Sequence, residues 1–357
     1  MRDITNLTPR YRLHRYLAVC YALFIVYASL TPFTGWQEQG LSFIEVLSAP
    51  VFQTFTWFDF TINGLAYFPF GILLAYLFRY RYSTLYVLLL ATLSGFCLSL
   101  LLEYTQMYLP SRVSSNSDLL SNTAGTFFGT AFSLTIANYA WLARFKLLHD
   151  AWFNHGRLSD FGLALVFLWI FAQTNPSLPM LGSVFVSAVA RWPFDIVPVS
   201  PFSFIKFSEV ALNLMLLGLL LLTLMRERRN MINLLLVVLG TVMLIKFVAA
   251  TILLKSWALL LWLDSEAMLG LPAGIALLMI TMQLPRAWLL GISSIAALTY
   301  LILVQNMLFS GSPSTAMRLY HWHYLHMLNY NGLTQLVNLL FPVLLLIYLW
   351  RTAMQRK

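Results

Sequence analysis

Charged residues are scarce in this sequence: they make up 10% of 357 residues, whereas hydrophobic residues make up 60%. A soluble domain has roughly 25% charged and about 45–50% apolar residues, so this chain could not cover its own surface with polar groups. The mean hydropathy of +0.76 agrees. These figures exclude a water-soluble globular enzyme and a disordered nucleic-acid-binding tail. They predict an all-α, polytopic integral membrane helical bundle.

Cysteine is nearly absent, and so are the familiar catalytic motifs. Cys20 and Cys97 lie inside apolar runs, where a cysteine usually serves as a small packing residue. The sequence contains no phosphate-binding glycine loop ending in Lys-Ser/Thr, no His-Glu-x2-His, no Gly-x-Ser-x-Gly and no Cys-x2-Cys. We therefore expect neither a cofactor nor a metal site.

Long apolar runs recur along the chain, and a membrane-spanning helix needs roughly 20 such residues. We predict ten spans: Tyr16–Leu30, Phe60–Phe78, Leu85–Tyr108, Leu119–Leu142, Asp160–Gln173, Val210–Met225, Ile232–Leu254, Ala267–Leu284, Ala287–Phe309 and Leu333–Trp350. The fifth span is short, and Leu181–Ala190 either extends it or enters the membrane as a re-entrant segment. The first span is interpreted as a retained helix rather than a signal peptide, because Thr31-Pro32 ends it cleanly.

The distribution of basic residues predicts the orientation, since Lys and Arg concentrate in cytoplasmic loops. With the N-terminus inside, 16 of the 22 Lys and Arg residues lie at the two termini or in the even-numbered connections. Both termini are therefore predicted to be cytoplasmic. The net charge of +9 then reflects topology and contact with anionic phospholipid at the cytoplasmic face, and we expect no nucleic-acid partner.

Polar residues cluster where the second, third and fourth spans begin or end on the predicted external side. They form three pairs, which are Asp59 with Asn63, Glu103 with Gln106, and Asp118 with Asn122. Spacings of three and four place both members of a pair on one helix face. Arg112, between the third and fourth spans, can bridge carboxylates or bind an anionic headgroup with two hydrogen bonds. Since polar groups are costly at membrane depth, we predict an external polar pocket. The alternative is that these residues cap helices and tie neighbouring helices together.

Two smaller features support close packing around this cluster. Gly125 and Gly129 form a face of small residues on the fourth span, which lets another helix approach closely. Pro69 is predicted to kink the second span and free a carbonyl one turn earlier.

The three polar pieces occur in the order Asp59-x3-Asn63, then Glu103-x2-Gln106 with a following Pro and Arg112, then Asp118-x3-Asn122-x2-Gly. This order resembles the VanZ-like family, named for the teicoplanin-resistance protein VanZ, over Tyr16 to Leu142. The resemblance implies a bacterial inner-membrane protein. Some family members lower susceptibility to lipoglycopeptide antibiotics, and others are associated with cell-envelope or exopolysaccharide functions. The seven residues of the predicted pocket are the motif positions that the resemblance carries over.

The remainder of the chain is predicted to form a second region. We divide the chain into a VanZ-like transmembrane domain, residues 1–150, and C-terminal transmembrane helices, residues 151–357. Glu209 and Asn213 echo Asp59 and Asn63, so the second region is either a diverged repeat or an unrelated set of helices. Lys246 lies inside the seventh span and is either a functional residue or the partner of Glu209 in a structural ion pair.

Three histidines precede the last span, but they do not predict a metal site. His321, His323 and His326 alternate with Tyr and Trp residues, which is typical of an aromatic belt at the membrane interface.

Three functional hypotheses follow from these observations. In the first, the external pocket binds a lipid-linked glycan, a peptidoglycan precursor or an amphiphilic antibiotic. In the second, the protein is an intramembrane enzyme that acts on a lipid-linked headgroup, with Glu103, Asp118 and Asp59 as candidates for acid/base or metal-assisted chemistry. In the third, the protein transports a lipid or polysaccharide, which the repeat and the proline-containing helices would favour.

Overall fold

The computed structural model describes residues 12–40, 42–49, 57–136, 147, 149–183, 185, 202–308, 315–321 and 325–355. The regular structure in these ranges is helical, which confirms the all-α prediction. The chain divides into two compact units, one spanning Arg12–Leu148 and the other containing His149–Lys357.

The N-terminal unit is built from five described helices. They are α1 (Leu13–Leu30), α2 (Phe43–Ser48), α3 (Trp57–Phe78), α4 (Thr84–Gln106) and α5 (Asn116–Ile136). The α3 and α5 helices share the most extensive contact in this unit, and α4 packs beside both of them. The apolar core lies between α1, α3 and α4 and includes Ile25, Tyr67, Phe70 and Leu102.

The C-terminal unit contains six longer helices among its described residues. They are α6 (Arg157–Gln173), α7 (Phe204–Leu224), α8 (Met231–Leu253), α9 (Ser265–Thr281), α10 (Arg286–Leu308) and α11 (Leu325–Met354). The α7 helix is buried along nearly its whole length, because it packs against α6, α8, α9 and α10. The α11 helix in turn packs against α6 and α10, so α7 forms the centre of this unit.

The structure has a helix at each of the ten predicted spans. Not all of these helices are long and apolar enough to cross a membrane. Seven of the described helices are long and apolar enough to cross a membrane, namely α1, α3, α4, α7, α8, α10 and α11. The α6 and α9 helices each have 17 residues, and α5 is rich in Ser, Thr, Asn and Gly. Ten spans is therefore an approximate count, and the protein is a helical membrane protein.

The α3 and α5 helices touch through their backbones, which confirms the predicted small-residue face. A Cβ atom added at Gly125 would collide with the carbonyl of Gly64, and one added at Gly129 would collide with the carbonyl of Phe68. On the opposite helix, a Cβ atom at Gly71 would collide with the carbonyl of Thr126. Because there is no hydrophobic driving force between helices in lipid, this close approach gains its stability from van der Waals packing.

The segment that follows α6 in the C-terminal unit is buried without being helical. The α6 helix ends at Gln173, and residues 175–183 are buried and irregular, so α6 is not extended as one of our two expectations had it. The side chain of Asn175 donates to Asn331 Oδ1 at 3.0 Å and to Thr334 Oγ1 at 3.1 Å, both on α11. Irregular backbone is tolerated at membrane depth where the surrounding protein satisfies its polar groups. The predicted re-entrant residues beyond 185 lie outside the described part of the chain.

The glycine contact generates a stability prediction. We expect Gly125→Ala and Gly129→Ala each to lower the free energy of unfolding by about 1–3 kcal/mol, because the added methyl group forces α3 and α5 apart. The measurement is thermal unfolding of the full chain in mild detergent. Gly240→Ala in α8 is the matched control, since a Cβ atom there meets no atom within 4 Å. Unfolding of the Gly125 and Gly129 variants at the wild-type temperature would contradict the proposed contact.

Candidate functional site

Glu103 is a buried carboxylate near the end of α4, with 4% of its surface exposed. The loop between α4 and α5 folds back over it. Glu103 Oε2 accepts hydrogen bonds from the Ser115 backbone N–H at 2.8 Å and from Ser114 Oγ at 3.1 Å. The second oxygen, Oε1, accepts no hydrogen bond from the described residues. Glu103 therefore keeps an acceptor available inside the helix group, and no cation in the described ranges pairs with it.

Two further oxygen atoms beside Glu103 are buried without a hydrogen-bond partner in the described structure. They are the hydroxyl of Tyr67 on α3 and Oδ1 of Asn122 on α5. The amide nitrogen of Asn122 is used, since it donates to Ser99 Oγ on α4 at 2.9 Å. The Tyr67 hydroxyl lies near the same Ser99 and interacts electrostatically with Glu103. Side chains from α3, α4 and α5 thus meet at one place.

Asp118 belongs to this group through its charge. It lies in the first turn of α5, is partly buried, and interacts electrostatically with both Glu103 and Tyr67. Two carboxyl groups that repel each other in a poorly solvated place favour a shared proton or an added cation. We define the polar centre as Tyr67, Ser99, Glu103, Asp118 and Asn122.

Gln106 and Arg112 lie at the same end of the unit, but their donors are directed at α1. Gln106 Nε2 donates to the Ser29 carbonyl at 2.9 Å. Arg112 Nη2 donates to the carbonyls of Ala28 at 2.9 Å and Thr31 at 2.7 Å, and Nε donates to Thr31 at 3.0 Å. The last carbonyls of a helix lack partners within it and attract cations. These two side chains therefore cap α1. Nη1 of Arg112 makes no hydrogen bond with described residues, so an anion could still use it.

Asp59 and Asn63 share a face of α3 with Tyr67, because the three residues are spaced by four. Both side chains are partly buried, and they lie toward the start of α3 from Tyr67. At 1.5 Å per residue, Asp59 is about 12 Å along the helix from Tyr67. The polar face of α3 therefore runs from the helix start inward to the polar centre.

Sequence reasoning missed Tyr67 and Ser99, although a signal was present. Tyr67 follows Asn63 by four residues, and Ser99 precedes Glu103 by four. Extending each polar pair by one helical turn would have found both residues. Ser114 and Ser115 carried no such signal, because they reach Glu103 only through the fold of the loop.

The candidates of the second region lie in the C-terminal unit, where two of them hold the buried segment. Asn213 Nδ2 donates to the Leu181 carbonyl at 2.7 Å, and its Oδ1 accepts from Trp169 Nε1 at 2.7 Å. Lys246 is fully buried, and its ammonium group donates to the carbonyls of Gln173 and Pro179, each at 3.2 Å. These contacts identify Asn213 and Lys246 as ties between helices and the irregular segment.

Glu209 does not pair with Lys246, so the expected ion pair is not formed among the described residues. Its carboxylate lies near Ser183 and interacts electrostatically with Lys206 and Asp264. Glu209 Oε1 is buried without a hydrogen-bond partner in the described structure. Of the three histidines, His321 is exposed, whereas His323 and the side chain of His326 lie outside the described part of the chain.

The VanZ/LLP1 family model matches residues 12–138. The N-terminal unit is a VanZ-like domain. The match covers about a third of the chain and includes every residue of the polar centre, while the C-terminal unit lies outside it. No curated protein and no solved structure matches the chain. The predicted resemblance is therefore confirmed for the VanZ-like domain.

The contacts of Arg112 generate a second prediction. We expect Arg112→Ala to lower the free energy of unfolding by about 2 kcal/mol, because it leaves the carbonyls at the end of α1 without a charged donor. Thermal unfolding of the full chain in mild detergent measures the change. Arg81→Ala is the control, since Arg81 is exposed in the turn between α3 and α4. Equal unfolding temperatures for the two variants would show that Arg112 does not hold α1.

Proposed function

We propose that the VanZ-like domain binds the polar head of a lipid-linked cell-envelope glycan or its precursor at the polar centre. The observation that carries this proposal is a pair of buried oxygen atoms without partners in the described structure, Tyr67 Oη and Asn122 Oδ1. They lie beside Glu103, whose printed hydrogen bonds with described residues all go to Oε2. The side chains of Tyr67, Asn122 and Glu103 are 4%, 7% and 4% exposed. A buried polar group left unsatisfied costs about 1–3 kcal/mol, so these atoms favour a bound partner.

The chemistry of these atoms favours a hydroxyl-rich ligand. A carboxylate oxygen and an amide oxygen accept hydrogen bonds, and a phenolic hydroxyl can donate or accept. Sugar hydroxyls supply several donors at short spacing, which matches this set. The free Nη1 of Arg112 at the same end of the domain is suited to a phosphate or carboxylate on the same ligand.

The surroundings of the polar centre favour a ligand with an apolar tail. Leu101 and Tyr104 on α4 and Leu120 on α5 are exposed large apolar side chains within one turn of Glu103 or Asp118. A lipid-anchored glycan would place its tail against such a surface and its head between the helices. The orientation predicted from the basic residues puts this end of the domain on the external side of the inner membrane, with both termini cytoplasmic.

A second candidate function is an intramembrane enzyme that acts on the same headgroup. The electrostatic interaction between Glu103 and Asp118 favours it, because two coupled carboxyl groups can divide acid and base roles between them. Glu103, hydrogen-bonded on one oxygen, and Asp118, in the first turn of α5, are the residues that would carry such a reaction.

The binding proposal is tested with Tyr67→Phe and Glu103→Gln. Tyr67→Phe removes a hydroxyl that has no partner in the described structure, so we expect unchanged stability and about tenfold weaker ligand binding. Glu103→Gln replaces an acceptor with a donor at nearly constant shape, and we expect a similar loss. The measurement is native mass spectrometry of lipids that co-purify with the full chain, followed by titration of a polyprenyl-linked peptidoglycan precursor in nanodiscs. Teicoplanin susceptibility of cells expressing each variant gives a cellular comparison.

Glu45→Gln is the matched control, because it makes the same change at an exposed position on α2. Equal binding by the control, the Tyr67 variant and the Glu103 variant would overturn the proposal. Asp118→Asn distinguishes the two functions. Binding alone predicts partial loss of the ligand, whereas catalysis predicts that the variant retains unconverted lipid while turnover stops.

A further inference from the structure

A cavity of about 330 Å³ lies at the start of α6 in the C-terminal unit. Its walls are the turn from Asn154 to Ser159, Thr223 near the end of α7, and the last turns of α11 at Tyr348, Thr352 and Gln355. The lining is mostly polar, and none of these residues belongs to the VanZ-like domain. The orientation predicted from the basic residues places this cavity at the cytoplasmic side.

The first three residues of α6 line this cavity, and the N-cap residue gives the helix no capping side chain. The N-cap is Gly156, with φ of 136°, and it provides no side-chain hydrogen bond. The amides of Arg157, Leu158 and Ser159 donate no hydrogen bond to any described residue. The first turn of a helix has unpaired N–H groups and a partial positive charge, so these amides favour an anion.

Two side chains add independent support. Ser159 lines the cavity and is 9% exposed, and its hydroxyl is buried without a hydrogen-bond partner in the described structure. The guanidinium of Arg157 is exposed, and no described carboxylate pairs with it. Nearby acids do not occupy the cavity, because Asp150 contacts His149 and His155, and Asp160 is absent from the lining.

A second cavity of about 140 Å³ adjoins the first and shares Asn154 and Thr223 with it. Its walls contain four leucines, Leu219, Leu222, Leu289 and Leu290, together with Arg226 and Arg228. A cavity lined by leucines and arginines beside a polar cavity matches the boundary between an acyl chain and a phosphorylated headgroup.

We propose that the N-terminus of α6 forms a phosphate-binding site. The amides of Arg157, Leu158 and Ser159, the Ser159 hydroxyl and the Arg157 guanidinium are its ligands. The adjoining leucine-lined cavity favours a phospholipid of the cytoplasmic leaflet as the source, and a soluble phosphate compound would use the same donors.

The test uses the full chain, delipidated in a maltoside detergent that contains no phosphate. One arm titrates short-chain phosphatidylglycerol against the matching diacylglycerol, and the other titrates inorganic phosphate against chloride at equal ionic strength. The readout is the increase in unfolding temperature that a bound ligand produces. We expect phosphatidylglycerol to stabilise the wild type, and Arg157→Gln and Ser159→Ala each to weaken this response about tenfold.

Arg351→Gln is the matched control, since it removes an exposed arginine near the end of α11 that does not line the cavity. We expect this variant to respond as the wild type does.

A response to inorganic phosphate with the same dependence on Arg157 and Ser159 supports the site and assigns a soluble source. Equal responses from the Arg157 and Arg351 variants in both arms, or no response in the wild type, would overturn the proposal. Ser159→Ala keeps the test valid if the Arg157 variant unfolds.

Discussion

The VanZ-like domain depends on the contact between the backbones of α3 and α5. Gly71 on one helix, and Gly125 and Gly129 on the other, leave no room for a single added carbon. This approach brings Tyr67 and Asn122, which lie beside those glycines in sequence, next to Ser99 on α4. A wider separation would open the site to lipid and would leave Glu103 without its neighbours. The close packing of α3 and α5 therefore holds the two helices together and also assembles the polar centre.

The C-terminal unit meets a different constraint, because it buries a stretch of irregular backbone after α6. Carbonyls and amides at membrane depth need partners, and lipid provides none. Lys246 and Asn213 donate to the Pro179 and Leu181 carbonyls of this stretch, and Met180 N–H donates to the Trp262 carbonyl at 2.6 Å. From the sequence, Lys246 was either a functional residue or the partner of Glu209 in an ion pair. In the structure its ammonium group donates hydrogen bonds to backbone carbonyls.

The positions of the helices could be predicted well from the apolar runs. The residues at which the helices end, and whether each helix crosses the membrane, could not. A helix overlaps each predicted span within the described residues, because long apolar segments in lipid must satisfy their backbone internally. Whether α5, α6 and α9 cross a membrane depends on neighbours, since polar or short helices can be covered by other helices. The short helix α2 was not predicted, because six residues carry too little periodicity to be recognised.

In the candidate site, too, the sequence determined some features and only the tertiary structure decided others. The residue types alone determined that Glu103, Asp118 and Asn122 require partners, because their burial is costly wherever the chain places them. Only the tertiary structure decided which partner each received. Arg112 was a candidate ligand for an anion, yet it caps α1, since the loop after α4 returns the guanidinium to carbonyls more than eighty positions earlier in the chain. The composition and spacing of the sequence determine which polar groups need a hydrogen-bond or ion-pair partner. Helix packing determines which atoms can be that partner, because hydrogen bonds and ion pairs act over a few ångströms.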